Sequence, residues 1–236
     1  VPALRPFFSY YGSKWTLVRR GVYPEPRYDA IIEPFAGSAA YSLHNWDLDV
    51  ILCDRNPSVV GVWRFLIEAT AEDILAMPVD YRVAMEELSG APRDLVGFWL
   101  AKGRSRPATA ATAWMKAGDR PGSFWGEHVR EKIASQVERI SHWRVFEGDY
   151  RTVENGAATW FVDPPYQGRP GRYYGTYGSA HLDYEALGRW CRSLEGQVVV
   201  CEEEGAGWLP FEPAGEVRSI QWRTHREASW VSPSRA

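Results

Sequence analysis

At 236 residues the chain is long enough for one domain with a sizeable core, or one domain carrying an insertion. A hydrophobic fraction of 45% with 12 Trp and 12 Tyr excludes a disordered chain, and a net charge of -3 argues against strong nonspecific binding to nucleic acid, which depends on phosphate neutralisation by Lys and Arg. Cys53, Cys191 and Cys201 lack any Cys-x-x-Cys spacing, the histidines show no paired ligand spacing, and no apolar run approaches the ~20 residues of a membrane span. The expectation is a soluble cytoplasmic protein with no disulfide framework, metal or membrane partner.

The first block, Phe7 to Trp15, is an aromatic-rich turn with Tyr11 and a single lysine, Lys14, after a Gly-Ser pair. It is not a phosphate loop, because the Gly-x-x-x-x-Gly-Lys-Ser/Thr spacing is missing. Ala30 to Glu33 reads as a buried parallel strand, and Pro34-Phe35-Ala36-Gly37-Ser38-Ala39-Ala40 turns from it into a helical run, Tyr41 to Trp46. Small residues at 36 to 40 let backbone approach a ligand at the positive end of a helix. A second strand, Val50 to Cys53, ends in Asp54, 17 residues past Gly37. In dinucleotide-binding units an acid roughly 20 residues past the glycines takes the ribose hydroxyls. Asn56 and Pro57 then open a helix expected over Ser58 to about Ala76.

Between Pro57 and Arg144 the chain makes an excursion too long for one crossover helix. Helical patches at about Asp94 to Lys102 and Glu127 to Ile140 are separated by Gly- and Pro-bearing stretches. The predicted organisation is a main α/β domain, 1–57 and 144–236, carrying an inserted helical lobe, 58–143. The lobe holds a basic excess that includes Lys102, Arg104, Arg106, Lys116 and Arg120. Each cation singly reads as solvated surface; as a group they are the candidate backbone-binding face.

A third strand, Arg144 to Glu147, is closed by Gly148-Asp149-Tyr150, where Asp149 is either a ligand group at a strand's carboxyl end or an ordinary N-cap. A fourth strand delivers Asp163-Pro164-Pro165-Tyr166. Two prolines stop the strand and leave the Pro164 carbonyl outside any ladder, so a planar group bearing an NH2 could donate one hydrogen to Asp163 and the other to that carbonyl while stacking on Tyr166. An ordinary Asp-Pro turn with Tyr166 as filler is the plainer alternative. Glu33, Asp54, Asp149 and Asp163 together predict an acidic rim, which repels phosphate-rich cofactors and suits a cationic ligand.

Gln167 to Gly178 holds Arg169, Arg172 and Tyr174 among four glycines and predicts a mobile loop that reaches phosphates and stacks bases. A helix is expected over His181 to Ser193, a fifth buried strand over Gln197 to Cys201, and a closing hairpin from Val217 to Arg223 and Glu227 to Ser232.

Tyr11-Gly12-Ser13-Lys14, Glu33-Pro34-Phe35-Ala36-Gly37-Ser38, Asp54-Arg55-Asn56, Gly148-Asp149-Tyr150 and Asp163-Pro164-Pro165-Tyr166, in that order, resemble the Dam-like (D12 class, alpha group) DNA adenine N6-methyltransferases, including phage-type members. The resemblance implies an α/β, Rossmann-like S-adenosylmethionine-dependent methyltransferase fold with a seven-stranded mixed sheet, S-adenosylmethionine as cofactor, and double-stranded DNA as partner of a monomer or weak dimer. Carried over, Phe35, Ala36, Gly37 and Ser38 would pack on the cofactor, with Glu33, Asp54, Asn56, Asp149, Tyr150 and Asp163 around it and Tyr11 and Lys14 completing the pocket. Asp163, Pro164, Pro165 and Tyr166 would receive a flipped-out adenine. Transfer to cytosine N4 or to an RNA adenine, and a silent S-adenosylmethionine-binding protein, stand as alternatives. One departure is Cys201-Glu202-Glu203-Glu204, where a short Ser- or Asn-bearing turn is expected; three carboxylates there would repel a DNA backbone unless they point away.

Overall fold

The computed structural model describes residues 2–110, 124–218 and 224–233. Its centre is one seven-stranded mixed sheet. The strands are β1 (Ala30–Glu33), β2 (Asp49–Asp54), β3 (Arg144–Glu147), β4 (Ala158–Val162), β5 (Gly196–Glu203), β6 (Glu212–Arg218) and β7 (Thr224–Val231), in the order β3-β2-β1-β4-β5-β7-β6. The first five pair in parallel; β7 runs antiparallel against β5 and β6. Strand order reverses between β1 and β4, so a crevice opens at their carboxyl ends, the usual place for ligands in open α/β sheets. The expected seven-stranded α/β architecture is present.

Period-two alternation distributes the sheet over two apolar layers. Ile31, Val50, Leu52, Phe161 and Val199 enter one core cluster, whereas Ile32, Cys53, Trp160, Val162, Val198 and Val200 enter the other. The first layer takes α1 (Trp15–Arg19), α2 (Ala40–His44), α3 (Pro57–Glu68), α4 (Ala71–Ala76), α5 (Tyr81–Glu87), α6 (Gly90–Leu100) and α7 (Glu127–Ala134). The second takes α8 (Tyr184–Ser193), whose Leu187 and Cys191 are fully buried.

Several boundaries differ from expectation for local reasons. The single helix expected over 58 to 76 breaks at Ala69, because Thr70 and Asp73 form a reciprocal capping box that starts α4. Helix α8 begins at Tyr184 rather than His181, with Asp183 accepting from the Ala186 N–H as N-cap. Strand β5 continues past Cys201 to Glu203 because β7 pairs along it. The closing hairpin is present with its strands earlier than expected, and residues 219–223 of the expected first strand lie outside the described residues. The stretch expected as a mobile loop folds instead into a 3-10 run, Arg169–Tyr177, kinked at Gly175 with φ 61°. Gly171 makes that compaction possible, since a Cβ there would collide with the Tyr166 carbonyl oxygen. Helix α3 lies against β2 and β3, so the chain leaves the sheet layer only after it.

Candidate active site

The crevice between β1 and β4 forms a cleft at the carboxyl ends of the strands. Tyr11, Lys14, Glu33, Phe35, Ala36, Gly37, Ser38, Asp54, Asp163, Pro165 and Tyr174, all singled out from the sequence, line it.

The turn after β1 is held from three sides. Asp54 Oδ2 accepts from the Gly37 N–H at 2.9 Å and Oδ1 accepts from the Asn56 N–H at 2.8 Å, which ties the ends of β1 and β2 together. The Trp63 indole donates to the Gly37 carbonyl at 2.8 Å. Gly37 adopts φ 44°, and a Cβ there would stand 3.1 Å from the Tyr10 ring, so a larger residue would push Tyr10 into the cleft. Ala39 also takes a left-handed conformation, φ 48°, at the start of α2, a strain of roughly 1–3 kcal/mol that the surrounding bonds must offset.

Glu33 closes the floor. It is 2% exposed, and its Oε1 accepts from the Ser42 N–H at 2.8 Å and the Ser42 hydroxyl at 2.6 Å. Burial raises its pKa to about 8 against the lowering effect of both Ser42 bonds, with Asp163 adding to the rise. A raised carboxyl binds its proton more tightly when folded than unfolded, so its stabilising contribution is full below the ordinary carboxylate range and is lost as pH rises toward 8. Between pH 5 and pH 8 the unaltered protein is expected to lose on the order of a few kcal/mol more stability than Glu33→Gln, measured by urea unfolding at both pH values.

The acceptor corner follows from the sheet. The β4–β5 ladder ends at Val162↔Val200, so Asp163 and the Pro164 carbonyl lie past its last rung, as the two prolines predict. Lys14, 5% exposed, donates to the Gly12 carbonyl at 2.8 Å and pairs with Asp163 Oδ1 at 3.0 Å. Its ammonium also stands over the Tyr166 ring, 4.7 Å from the centroid. Burial acts against the Lys14 charge, but the Asp163 and Glu227 carboxylates outweigh it and hold the pKa above the ordinary lysine value. Asp163 is pushed up to about 6 by burial, with Glu227 adding to the rise and Lys14 opposing it. The Tyr166 hydroxyl donates to Glu227, and the Tyr184 hydroxyl donates to the Pro165 carbonyl at 2.5 Å.

Other sequence-predicted residues stand apart from the cleft. Asn56 caps α3 and donates to the Ser105 carbonyl at 3.2 Å. Asp149 accepts from Arg151 at 2.6 Å, lies 3.8 Å from Arg55, and caps a 3-10 turn through the Arg151 N–H, so the N-cap alternative describes its local role. Tyr150 is buried beneath Phe35, the two rings stacked at 5.5 Å. The rim is therefore less uniformly acidic than expected: Asp54 is engaged by backbone N–H groups, Asp149 by two arginines and Asp163 by a lysine.

Lys102, Arg104, Arg106, Arg169 and Arg172 are exposed, while Lys116 and Arg120 lie outside the described residues. Lys102 stands 5.7 Å from the Trp99 ring. Tyr174 lines the cleft, its hydroxyl donating to the Tyr11 carbonyl at 3.1 Å, so it lies over the cleft rather than reaching outward. The turn 104–106 is threaded between cleft elements. Tyr11 N–H donates to the Arg104 carbonyl at 3.1 Å, Ser105 Oγ to the Tyr173 carbonyl at 3.0 Å, and Arg106 to Thr176 Oγ1 at 3.3 Å.

Sequence reasoning gave no role to Tyr10, Ser105 and Glu227, and noted Glu202 only as part of an unexpected acidic turn. Glu202 explains the unexpected acidic turn: it points inward, fully buried, and accepts from the Gln167 N–H, the Glu203 N–H and the Trp208 indole. Glu204 points outward and pairs with Arg226 at 3.6 Å. A charged residue on the inward phase of a strand is the sequence signal that would have found Glu227.

Among the described residues, no three His, Cys, Asp or Glu side chains are grouped to hold a metal, and no helix is long and apolar enough to cross a membrane. A seven-stranded mixed sheet with a glycine turn on one side of its switch point and an Asp-Pro-Pro-Tyr corner on the other is consistent with the α/β fold of S-adenosylmethionine-dependent methyltransferases. Residues 10–89 match the family model of the D12 class N6 adenine-specific DNA methyltransferases. That match covers the first block, β1, the glycine turn, β2 and α3, and ends before Asp163, so the acceptor corner is an independent observation. No curated protein matches the chain.

Proposed function

We propose that the protein transfers a methyl group from S-adenosylmethionine to the exocyclic N6 of an adenine flipped out of double-stranded DNA. The observation that carries this reading is the position of Asp163, past the last rung of β4, in the same cleft as the Phe35 to Ala40 turn. A cofactor bound along that turn and an amine at Asp163 would meet inside one small volume.

The residues present fit the cofactor. Gly37 and its small neighbours leave room for close approach, and Asp54 keeps acceptor capacity beyond its backbone bonds. Phe35, Ala36, Gly37 and Ser38 would pack on it, Asp54 would take its ribose hydroxyls, and Tyr11, Lys14 and Tyr174 would enclose it. Bound there, the cofactor supplies an electrophilic methyl group.

The chain's own part is to present the acceptor. Lys14 holds Asp163 Oδ1, which leaves Oδ2 to accept one amine hydrogen while the Pro164 carbonyl accepts the other. Two such bonds pull the conjugated nitrogen toward a tetrahedral form and expose its lone pair, and Tyr166 stacks on the ring. Orientation in a shared cleft supplies much of the remaining acceleration, since effective molarities of oriented reactants reach ~10^5 M or more. The 58–143 lobe and Arg169 and Arg172 would contact the DNA backbone.

Tritiated methyl transfer to unmethylated genomic DNA, followed by nucleoside analysis, tests the proposal. Labelled N6-methyladenine is expected. Label in N4-methylcytosine alone would overturn the choice of base, and tight cofactor binding without any label in DNA would mean a silent binding protein.

A further inference from the structure

Glu227 belongs to none of the motifs that define the site. It lies on β7, 7% exposed, and its neighbours Ala228 and Trp230 turn into the second core cluster. Alternation therefore points Glu227 to the opposite face of the sheet, toward the end of β4. There its Oε2 accepts the Tyr166 hydroxyl hydrogen. Two carboxylates, Asp163 and Glu227, thus stand around the single ammonium of Lys14. Such an arrangement is costly in a buried place unless each charge has a task, because a desolvated carboxylate needs a partner.

The geometry shows what the second carboxylate adds. Tyr166 follows two prolines that fix the backbone but leave its side-chain torsions free. Lys14 covers one face of the ring, and Glu227 holds the far end of it. With both contacts the ring plane is set, and any base stacking on Tyr166 must meet that plane. We infer that Glu227 is a positioning residue for the methyl acceptor, fixing through the Tyr166 hydroxyl the plane against which the target base stacks. The inference rests on the functional reading above and deepens it. A charged acceptor gives a stronger and more directional bond than a neutral one, yet a neutral acceptor of the same size still orients the hydroxyl.

The test compares Glu227→Ala, Glu227→Gln, Tyr166→Phe and the double variant Tyr166→Phe/Glu227→Ala in methyl transfer to genomic DNA, with cofactor affinity and thermal melting measured on each. Glu227→Ala is expected to lower kcat by about 10- to 100-fold, with cofactor Kd within about twofold of the unaltered protein. Glu227→Gln should recover most of that loss, and the double variant should be no slower than the slower single variant, because both changes break one bond. Unchanged kcat in Glu227→Ala, or losses that multiply in the double variant, would overturn the inference. Should Glu227→Ala fail to fold, Tyr166→Phe against Tyr166→Phe/Glu227→Gln carries the same comparison: equal rates support the linkage and multiplying losses refute it. Absence of methylation by the unaltered protein would instead overturn the functional reading, and this inference with it.

Discussion

Asp163→Asn is expected to reduce methyl transfer by at least ~10^3-fold while cofactor Kd stays within about threefold. The asymmetry follows from the two sides of the cleft. Asp163 stands past the end of β4, whereas the glycine turn is tied by Asp54 and Trp63 on the β1–β2 side. Asparagine keeps the volume but presents an amide NH2 on one side, so it cannot accept from both Lys14 and the target amine. Isothermal titration with the cofactor and single-turnover transfer on DNA separate the two effects. A loss of cofactor affinity as large as that of Asp54→Ala would show that Asp163 serves the donor instead.

Lys14→Met is expected to be nearly as severe, by a different route. In the intact site the Asp163 carboxyl titrates near 6, and its charged form is the one that accepts the amine hydrogen, so activity should fall as pH drops through about 6. The groups facing it are Lys14, Glu227, Glu33, Cys201, Tyr10, Tyr23, Tyr166 and Tyr174, of which only Lys14 is cationic. Without Lys14, burial and Glu227 act unopposed, and the carboxyl moves further up. The acid limb of the kcat profile should then shift toward or beyond neutral pH, leaving little activity at pH 7 and partial recovery at higher pH. An unshifted limb would show that Lys14 does not govern the Asp163 charge. Breaking a buried ion pair costs about 3–5 kcal/mol, and the lower end applies here because Asp163 is one-fifth exposed and can take up a proton. The Lys14 pKa is raised on folding, so its contribution is present where the Asp163 carboxylate is charged and fades only above the ordinary lysine range.

Most of the sheet was legible in the sequence because its strands are short, apolar and bounded by strong punctuation. Ile31, Ile32, Val50 to Cys53 and Val198 to Cys201 leave no polar face for water, and Pro34, Pro57 and Pro164 mark where strands end or helices start. The break at Thr70 was also written locally, as a capping box, but an apolar pattern running through it masked the signal. Helix α5, only Tyr81 to Glu87, is too short for its period to stand out. The Arg169 to Tyr177 run looked like a free loop because glycine is permissive in isolation; contact with the Tyr166 carbonyl makes it compact.

The sequence alone determined the chemistry available: a carboxylate followed by two prolines and a tyrosine, a glycine turn after a buried strand, and an acid at the end of the next strand. Each is a local pattern whose physical meaning travels with it. Tertiary structure decided which groups meet. It brought Lys14, 149 positions before Asp163, onto Oδ1, and set Glu227 beneath Tyr166. It turned Glu202 inward as a hydrogen-bond acceptor, and drew Tyr174 over the cleft instead of outward. Those pairings depend on strand order and on which face a side chain occupies, and both are fixed only when the whole sheet has assembled.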